Sequence, residues 1–148
     1  IHRIGDLMKG VAFRFFEKFA PEDGTIAEHQ KIINRLGYVY YGKMGNPVSD
    51  KNIHMLMEQD EIKLLLIHSG KTERYWAIVE KITKEQPSFD EFPRYYHNIA
   101  DKFKTWFKII KIEEASKDVM SKCKVASSGA TLGEASKHSM SPYFIIEI

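Results

Sequence analysis

The chain has 148 residues, 43% apolar and 28% charged, with 22 Lys and Arg against 20 Asp and Glu for a formal charge of +2. That size and composition describe one domain with a real core, and the near balance of charge excludes a histone-like polyanion binder while leaving room for a local basic face. No apolar run approaches the ~18 residues of a membrane span, residues 1–20 carry charges and no apolar stretch of a signal peptide, and a single cysteine, Cys123, favours a reducing, cytoplasmic setting.

Residues 1–7 carry no clear pattern and are read as an added remnant ahead of a natural start at Met8, with 8–148 as one domain. Val11, Phe13 and Phe15 alternate with Ala12, Arg14 and Phe16, which predicts a strand over 11–16. Pro21-Glu22-Asp23-Gly24 then breaks the chain. Thr25-Ile26-Ala27-Glu28 has the spacing of a capping box, and the steps Ile26, His29, Ile33 and Leu36 predict a helix over 25–36. Its packing side is expected to be Ile26, Ile33 and Leu36, and Gly37 ends it as a C′ glycine.

Tyr38-Val39-Tyr40-Tyr41 predicts a strand over 38–42, stopped by Gly42, Gly45, Asn46 and Pro47. Ser49 can cap a short helix to about Gln59, with Ile53, Leu56 and Met57 as its apolar side. The continuous Leu64-Leu65-Leu66-Ile67 run marks a strand over 62–68 that is buried on both faces. Ser69-Gly70-Lys71-Thr72 turns it into a second strand over 74–82. Residues 84–103 form a polar loop with Pro87 and Pro93, long enough to suggest a functional excursion. A strand over 104–112, a helical turn or two over 116–124, a Ser/Gly/Ala-rich stretch over 126–141 and a strand over 143–148 complete the chain. About six strands with two or three short flanking helices give an α+β fold. A strongly twisted mixed sheet of that size curls into a half-closed barrel, which removes its edges.

Catalytic and metal chemistry find no support in the residue order. The six histidines are scattered, with no HxxH or HExxH spacing and no cysteine pair, so no metal site and no cofactor are expected. Cys123 lies between Lys122 and Lys124 but has no histidine arrangement to activate it. The Gly-Lys turns at 42–45 and 69–72 lack phosphate-loop spacing. Aromatic and basic residues are more informative. In a strand, neighbours alternate faces, so Trp106 and Phe107 cannot both enter one core, and the same holds for Tyr75 and Trp76. Between 94 and 111 stand Arg94, Lys102, Lys104, Lys108 and Lys111 against one acid, Asp101, on the segment that also carries Tyr95, Tyr96 and Trp106. Cations for phosphate beside aromatic planes for bases are what nucleic-acid contact needs. A merely solvated basic face would show the same pattern.

The order of motifs resembles the PUA-like superfamily, in particular its EVE and YTH-like domains. The resemblance rests on Tyr40-Tyr41-Gly42-Lys43, the 62–68/74–82 hairpin, Pro93-Arg94-Tyr95-Tyr96, Thr105-Trp106-Phe107-Lys108-Ile109 and Ser141-Pro142-Tyr143-Phe144. The Ala20–Thr25 stretch has no counterpart in it. The resemblance implies a non-catalytic module that takes one flipped, modified base between aromatic rings, in modified DNA rather than RNA. It further implies a larger prokaryotic restriction or defence protein with a fused motor or nuclease domain. On that basis Trp106 and Trp76 would wall the base pocket, with Tyr40, Tyr41, Tyr95 and Tyr96 as further walls and Ser139 or Ser141 bonding the base edge. Lys43, Arg94, Lys104 and Lys108 would touch phosphates. The alternative is a small-ligand or nucleotide-sensing domain of a prokaryotic regulator. Trp106 is the sharpest of these expectations, because its indole N–H wants a partner that a half-open pocket supplies more readily than a core.

Overall fold

The computed structural model describes residues 8–139 and 141–148; the reading of residues 1–7 falls outside the described residues. The elements run β1 (Lys9–Phe15), α1 (Gly24–Leu36), β2 (Val39–Lys43), α2 (Asp50–Met57), β3 (Ile62–His68), β4 (Arg74–Thr83), two 3₁₀ turns (Phe89–Glu91 and Arg94–Lys102), β5 (Thr105–Glu114), α3 (Val119–Lys122), β6 (Lys124–Val125), α4 (Leu132–His138) and β7 (Phe144–Glu147). The strands form one mixed sheet in the order β2-β5-β4-β3-β1-β7-β6, with β1 parallel to β3 and every other pair antiparallel. The sheet curls without closing. Phe13 of β1 and Tyr41 of the edge strand β2 are far apart in strand order, yet their ring centroids lie 5.8 Å apart. This is the curled α+β architecture expected from the sequence, with one strand more. The extra strand, β6, has two residues and stands just ahead of the Ser/Gly/Ala-rich stretch, in which α4 was also unexpected. Such short elements carry no readable period; α4 is held by its Thr131 cap, whose hydroxyl accepts from the Glu134 N–H.

The concave side of the sheet holds the main core, built from Val11, Phe13, Phe15, Val39, Tyr41, Leu64, Leu66, Val79, Phe107 and Ile109 and covered by Ile32 of α1 and Leu56 of α2. The outer face carries two separate clusters. One, around Ala12, Leu65, Ile67 and Ile146, lies under α3 and α4. The other gathers Tyr40, Phe92, Tyr96, Ala100, Phe103 and Trp106 under the 3₁₀ turns. The Leu64–Ile67 run is therefore buried on both faces as its composition indicated. Residues 84–103 are a lid on the sheet rather than a free loop. Glu91 accepts from Ser88 N–H and from the Tyr38 hydroxyl, and Arg35 donates to the Asp90 carbonyl.

Two local expectations at α1 are corrected. Thr25 does not open a capping box; it sits inside the helix, buried, with its hydroxyl donating to the Phe16 carbonyl. The Thr25 N–H is instead satisfied by the carboxylate of Glu17, from the preceding turn, which supplies the negative charge a helix start favours. Ile26 and Ile33 pack half-buried against the main core as expected, but Leu36 is 37% exposed, and the fully buried positions are Thr25, His29 and Ile32. Gly37 ends the helix at φ 85°, its N–H bonded to the Ile33 carbonyl, as expected. Ser49 caps α2 through Asn52 N–H, also as expected.

Candidate functional site

The curl leaves a cleft between the C-terminal ends of β1 and β2, closed on a third side by residues 141–144 ahead of β7. Its cavity measures about 440 Å³. Phe13, Phe16, Phe19, Tyr41, Tyr96, Phe103 and Phe144 supply aromatic walls, and Arg14, Lys18 and Lys43 are the charged residues on it, with no carboxylate among the lining side chains. Rings concentrate here for a local reason. β1 alternates Phe13 and Phe15 into the concave core, and as the strand ends Phe16 emerges outward. The following turn, in which Ala20 N–H bonds the Glu17 carbonyl, displays Lys18 and Phe19. Phe16 is 60% exposed, Phe19 46% and Met44 42%, so three large apolar side chains stand uncovered at one rim. The Lys18 ammonium lies 5.4 Å from the Phe19 ring centre. Glu17 turns away to hold α1, so the turn shows its cation outward and its anion inward.

Lys43 is only 3% exposed. Its ammonium donates to the carbonyls of Met44 and Asn46 and lies over the rings of Phe13 and Tyr143, while burial pushes its pKa down. It clamps the loop after β2 against the cleft. Gly42 is required beside it, because a Cβ there would lie 2.5 Å from Phe103 Cδ2 and 3.0 Å from Trp106 Cζ3. Tyr41 and Tyr96 are buried phenols whose pKa values burial pushes up, so both stay neutral. Ser141 Oγ donates to the Tyr143 carbonyl at 2.7 Å, which leaves its lone pairs to accept. Behind the tyrosines, His29 packs on Tyr41 and Tyr96 at 5.0 and 5.6 Å, and its Nδ1–H donates to the Thr25 carbonyl. Its Nε2 has no partner, and burial pushes its pKa down to about 4, so it is a neutral imidazole with a free lone pair.

Of the residues singled out from the sequence, Tyr41, Tyr96, Ser141 and Lys43 meet at this cleft. The others lie elsewhere. Trp106 is fully buried in the outer cluster, against Phe92 at 4.9 Å and Phe103 at 5.4 Å, and its indole N–H has no partner. Alternation does send Trp106 and Phe107 to opposite faces, but the 3₁₀ lid seals the outer one, so both rings are core. Tyr40 enters the same sealed cluster, one face away from Tyr41. Trp76 pairs with Leu65 in the β3–β4 hairpin and packs half-buried on the outer cluster under α3 and α4, with Lys63 over its ring at 5.4 Å. Tyr95 packs on Tyr96 at 4.4 Å without lining the cleft, and Ser139 serves only to accept from Ser141 N–H. Lys108 pairs with Glu80 at 2.8 Å and lies over Tyr38, while Lys104 donates to the Asp101 carbonyl. Arg94 is exposed on the lid. The linear count of positive charge over 94–111 missed the partners that β4 supplies across the sheet. Missed in turn were Phe13, Arg14, Phe16, Lys18 and Phe19; their signal was a strand of phenylalanines that continues past its own end into Phe16 and Phe19.

Two other concavities differ in charge. One of about 520 Å³ beside the start of α1 is lined by Glu17, Glu22, Asp23, Glu73, Glu113 and Glu114, with Lys71 at its border with the second, and would repel an anion. The other adjoins the cleft and is basic. No group of three or more His, Cys, Asp or Glu side chains that could hold a metal ion occurs among the described residues, and no helix there is long and apolar enough to cross a membrane.

A family model described as Pua-like matches residues 11–140, and the chain belongs to that family. Pua-like domains are in general non-catalytic modules that bind nucleic acids or ligands. No curated protein matches the chain.

Proposed function

On the premise of that membership, we propose that the cleft receives a single base extruded from a nucleic-acid strand, and that the chain is a recognition module with no reaction of its own. The observation that carries this reading is a cavity walled by seven aromatic rings, flanked by three cations and free of carboxylates. Extruding a base costs a few kcal/mol, and stacking at ~1–3 kcal/mol per base can offset it. Tyr41, Phe13 and Tyr96 are the walls, Phe16 and Phe19 the rim that meets neighbouring bases, and Arg14 and Lys18 the phosphate contacts. Ser141 accepts from an exocyclic amino group, since its own proton is held by Tyr143.

A modified base fits this lining better than an unmodified one, because an added methyl group finds apolar rings and gains ~0.8 kcal/mol on burial. DNA carrying such a base, bound by this module within a larger restriction or defence protein that also holds a motor or nuclease domain, is the context we propose. Oligonucleotides with one central cytosine, 5-methylcytosine, adenine or N6-methyladenine test it by fluorescence anisotropy. One methylated probe should bind roughly fourfold more tightly than its parent, and binding should weaken steeply with salt. Equal binding of all four would remove modified-base recognition. The second reading, a free nucleotide or small ligand in the same cleft, is favoured by the enclosure of Tyr41 and Lys43. It predicts that a nucleoside monophosphate binds as well as any oligonucleotide.

A further inference from the structure

We infer that the basic furrow beside the cleft is a phosphodiester track, which holds the strand on one side of the captured base. This rests on the reading of the cleft as a base site. The furrow is lined by Arg14, Lys71, Arg74 and Lys137 against a single acid, Glu134, and it shares Arg14, Ile67 and Ser136 with the cleft, so one continuous surface joins the two. Its cations are unlike the six lysines elsewhere that are held in ion pairs. Lys31, Lys63, Lys84, Lys108, Lys111 and Lys122 all have carboxylate partners. Among the described residues Lys71, Arg74 and Lys137 have none, and Glu134 leans toward His138 at 3.7 Å.

Arg74 adds an independent observation. Its Nε is buried and donates to nothing, so the guanidinium gains if the side chain swings out to meet an acceptor in the furrow. A phosphate oxygen is such an acceptor, and guanidinium matches it in geometry. Arg14 stands where the cleft opens into the furrow, with one Nη donating to the Ser136 carbonyl. That bond steers the guanidinium at the junction, where the backbone of an extruded nucleotide must bend. The furrow floor is firm, since His68 Nδ1 accepts from the N–H groups of both Gly70 and Lys71 and fixes the hairpin turn. Polar Ser69, Thr72, Ser121 and Thr131 also line it, and no Phe, Tyr or Trp does, so it suits a backbone and not a base.

The test compares single-stranded probes that share the central base selected above: a trinucleotide, and the same trinucleotide extended on its 5′ or its 3′ side only. Extension on one side should tighten binding to the unaltered protein, and extension on the other should not. Lys71→Ala with Lys137→Ala, both at exposed positions, should abolish that gain and leave trinucleotide affinity within about twofold. The salt slope for the extended probe should fall by roughly 0.7 for each phosphate contact removed. Lys71→Arg with Lys137→Arg should retain the gain, and Arg74→Gln should lose it with an unchanged melting temperature. Equal tightening from both extensions, or an unchanged salt slope in the double alanine variant, overturns the track. If the unaltered protein binds neither trinucleotide nor extended probe, the base-site reading itself fails, and the track with it. If it binds both and the furrow variants match it, only the track is lost.

Discussion

Two aromatic regions lie back to back across β2, and they have opposite fates. On the outer face, Trp106, Phe92 and Tyr40 are sealed under the 3₁₀ lid; on the inner side, Tyr41 and Phe13 lead out to the open rim of Phe16 and Phe19. The residue types are alike. What separates them is a cover: the 84–103 segment is fastened over one region by Tyr38, Ser88, Glu91 and Arg35, whereas a pinned turn holds the rim of the other open. Aromatic density therefore leaves an open surface here only where nothing from the same chain fills the space.

The largest effect that can break this comparison is Trp106→Ala. Truncating a sealed Trp should cost ~3–5 kcal/mol of folding stability in urea titration, while the protein that remains folded binds oligonucleotide as before. A variant of normal stability with lost binding would mean that Trp106 belongs to the site after all.

Next comes His29, behind the cleft tyrosines. Its folded pKa of about 4 lies below the unfolded value of 6.5, so between those values the unfolded chain takes up the proton and the folded one does not. Its contribution is complete above pH 6.5 and is lost as pH falls toward 4, on the order of 3 kcal/mol in all. Stability measured across that window should fall more steeply for the native chain than for His29→Gln. Parallel curves would show that His29 is not held neutral.

Gly42 sits where the regions touch. Gly42→Ala drives a Cβ into Phe103 and Trp106 and should cost ~1–3 kcal/mol, again read by denaturant titration. The smallest stability change belongs to the rim. Phe16→Ala with Phe19→Ala should alter folding by less than about 0.5 kcal/mol yet weaken oligonucleotide binding by ~1–3 kcal/mol per lost stack. Loss of stability without loss of binding would make the rim a piece of core.

Much of the fold was legible because it obeys period. The alternation of 11–16, the double burial of Leu64–Ile67, the Gly37 stop and the Ser49 cap are local consequences of neighbouring residues. The site was less legible. Alternation along β2 could have parted Tyr40 from Tyr41, since neighbours face opposite ways, but it could not say which side would be covered.

By itself the sequence determined six of the seven strands, the mixed α+β class and the split of Trp106 from Phe107, because these depend on side-chain spacing along one backbone. Only the tertiary structure decided which rings and charges remain available. Trp106 is closed off by a segment that precedes it by several residues, and Lys108 is neutralised by Glu80 from the adjacent strand. The cleft is made by β1 and β2, brought together only when the sheet curls, while Arg74 keeps a buried N–H that finds no acceptor among the described residues. Burial and pairing depend on what arrives from elsewhere in the chain, and no local spacing encodes that arrival.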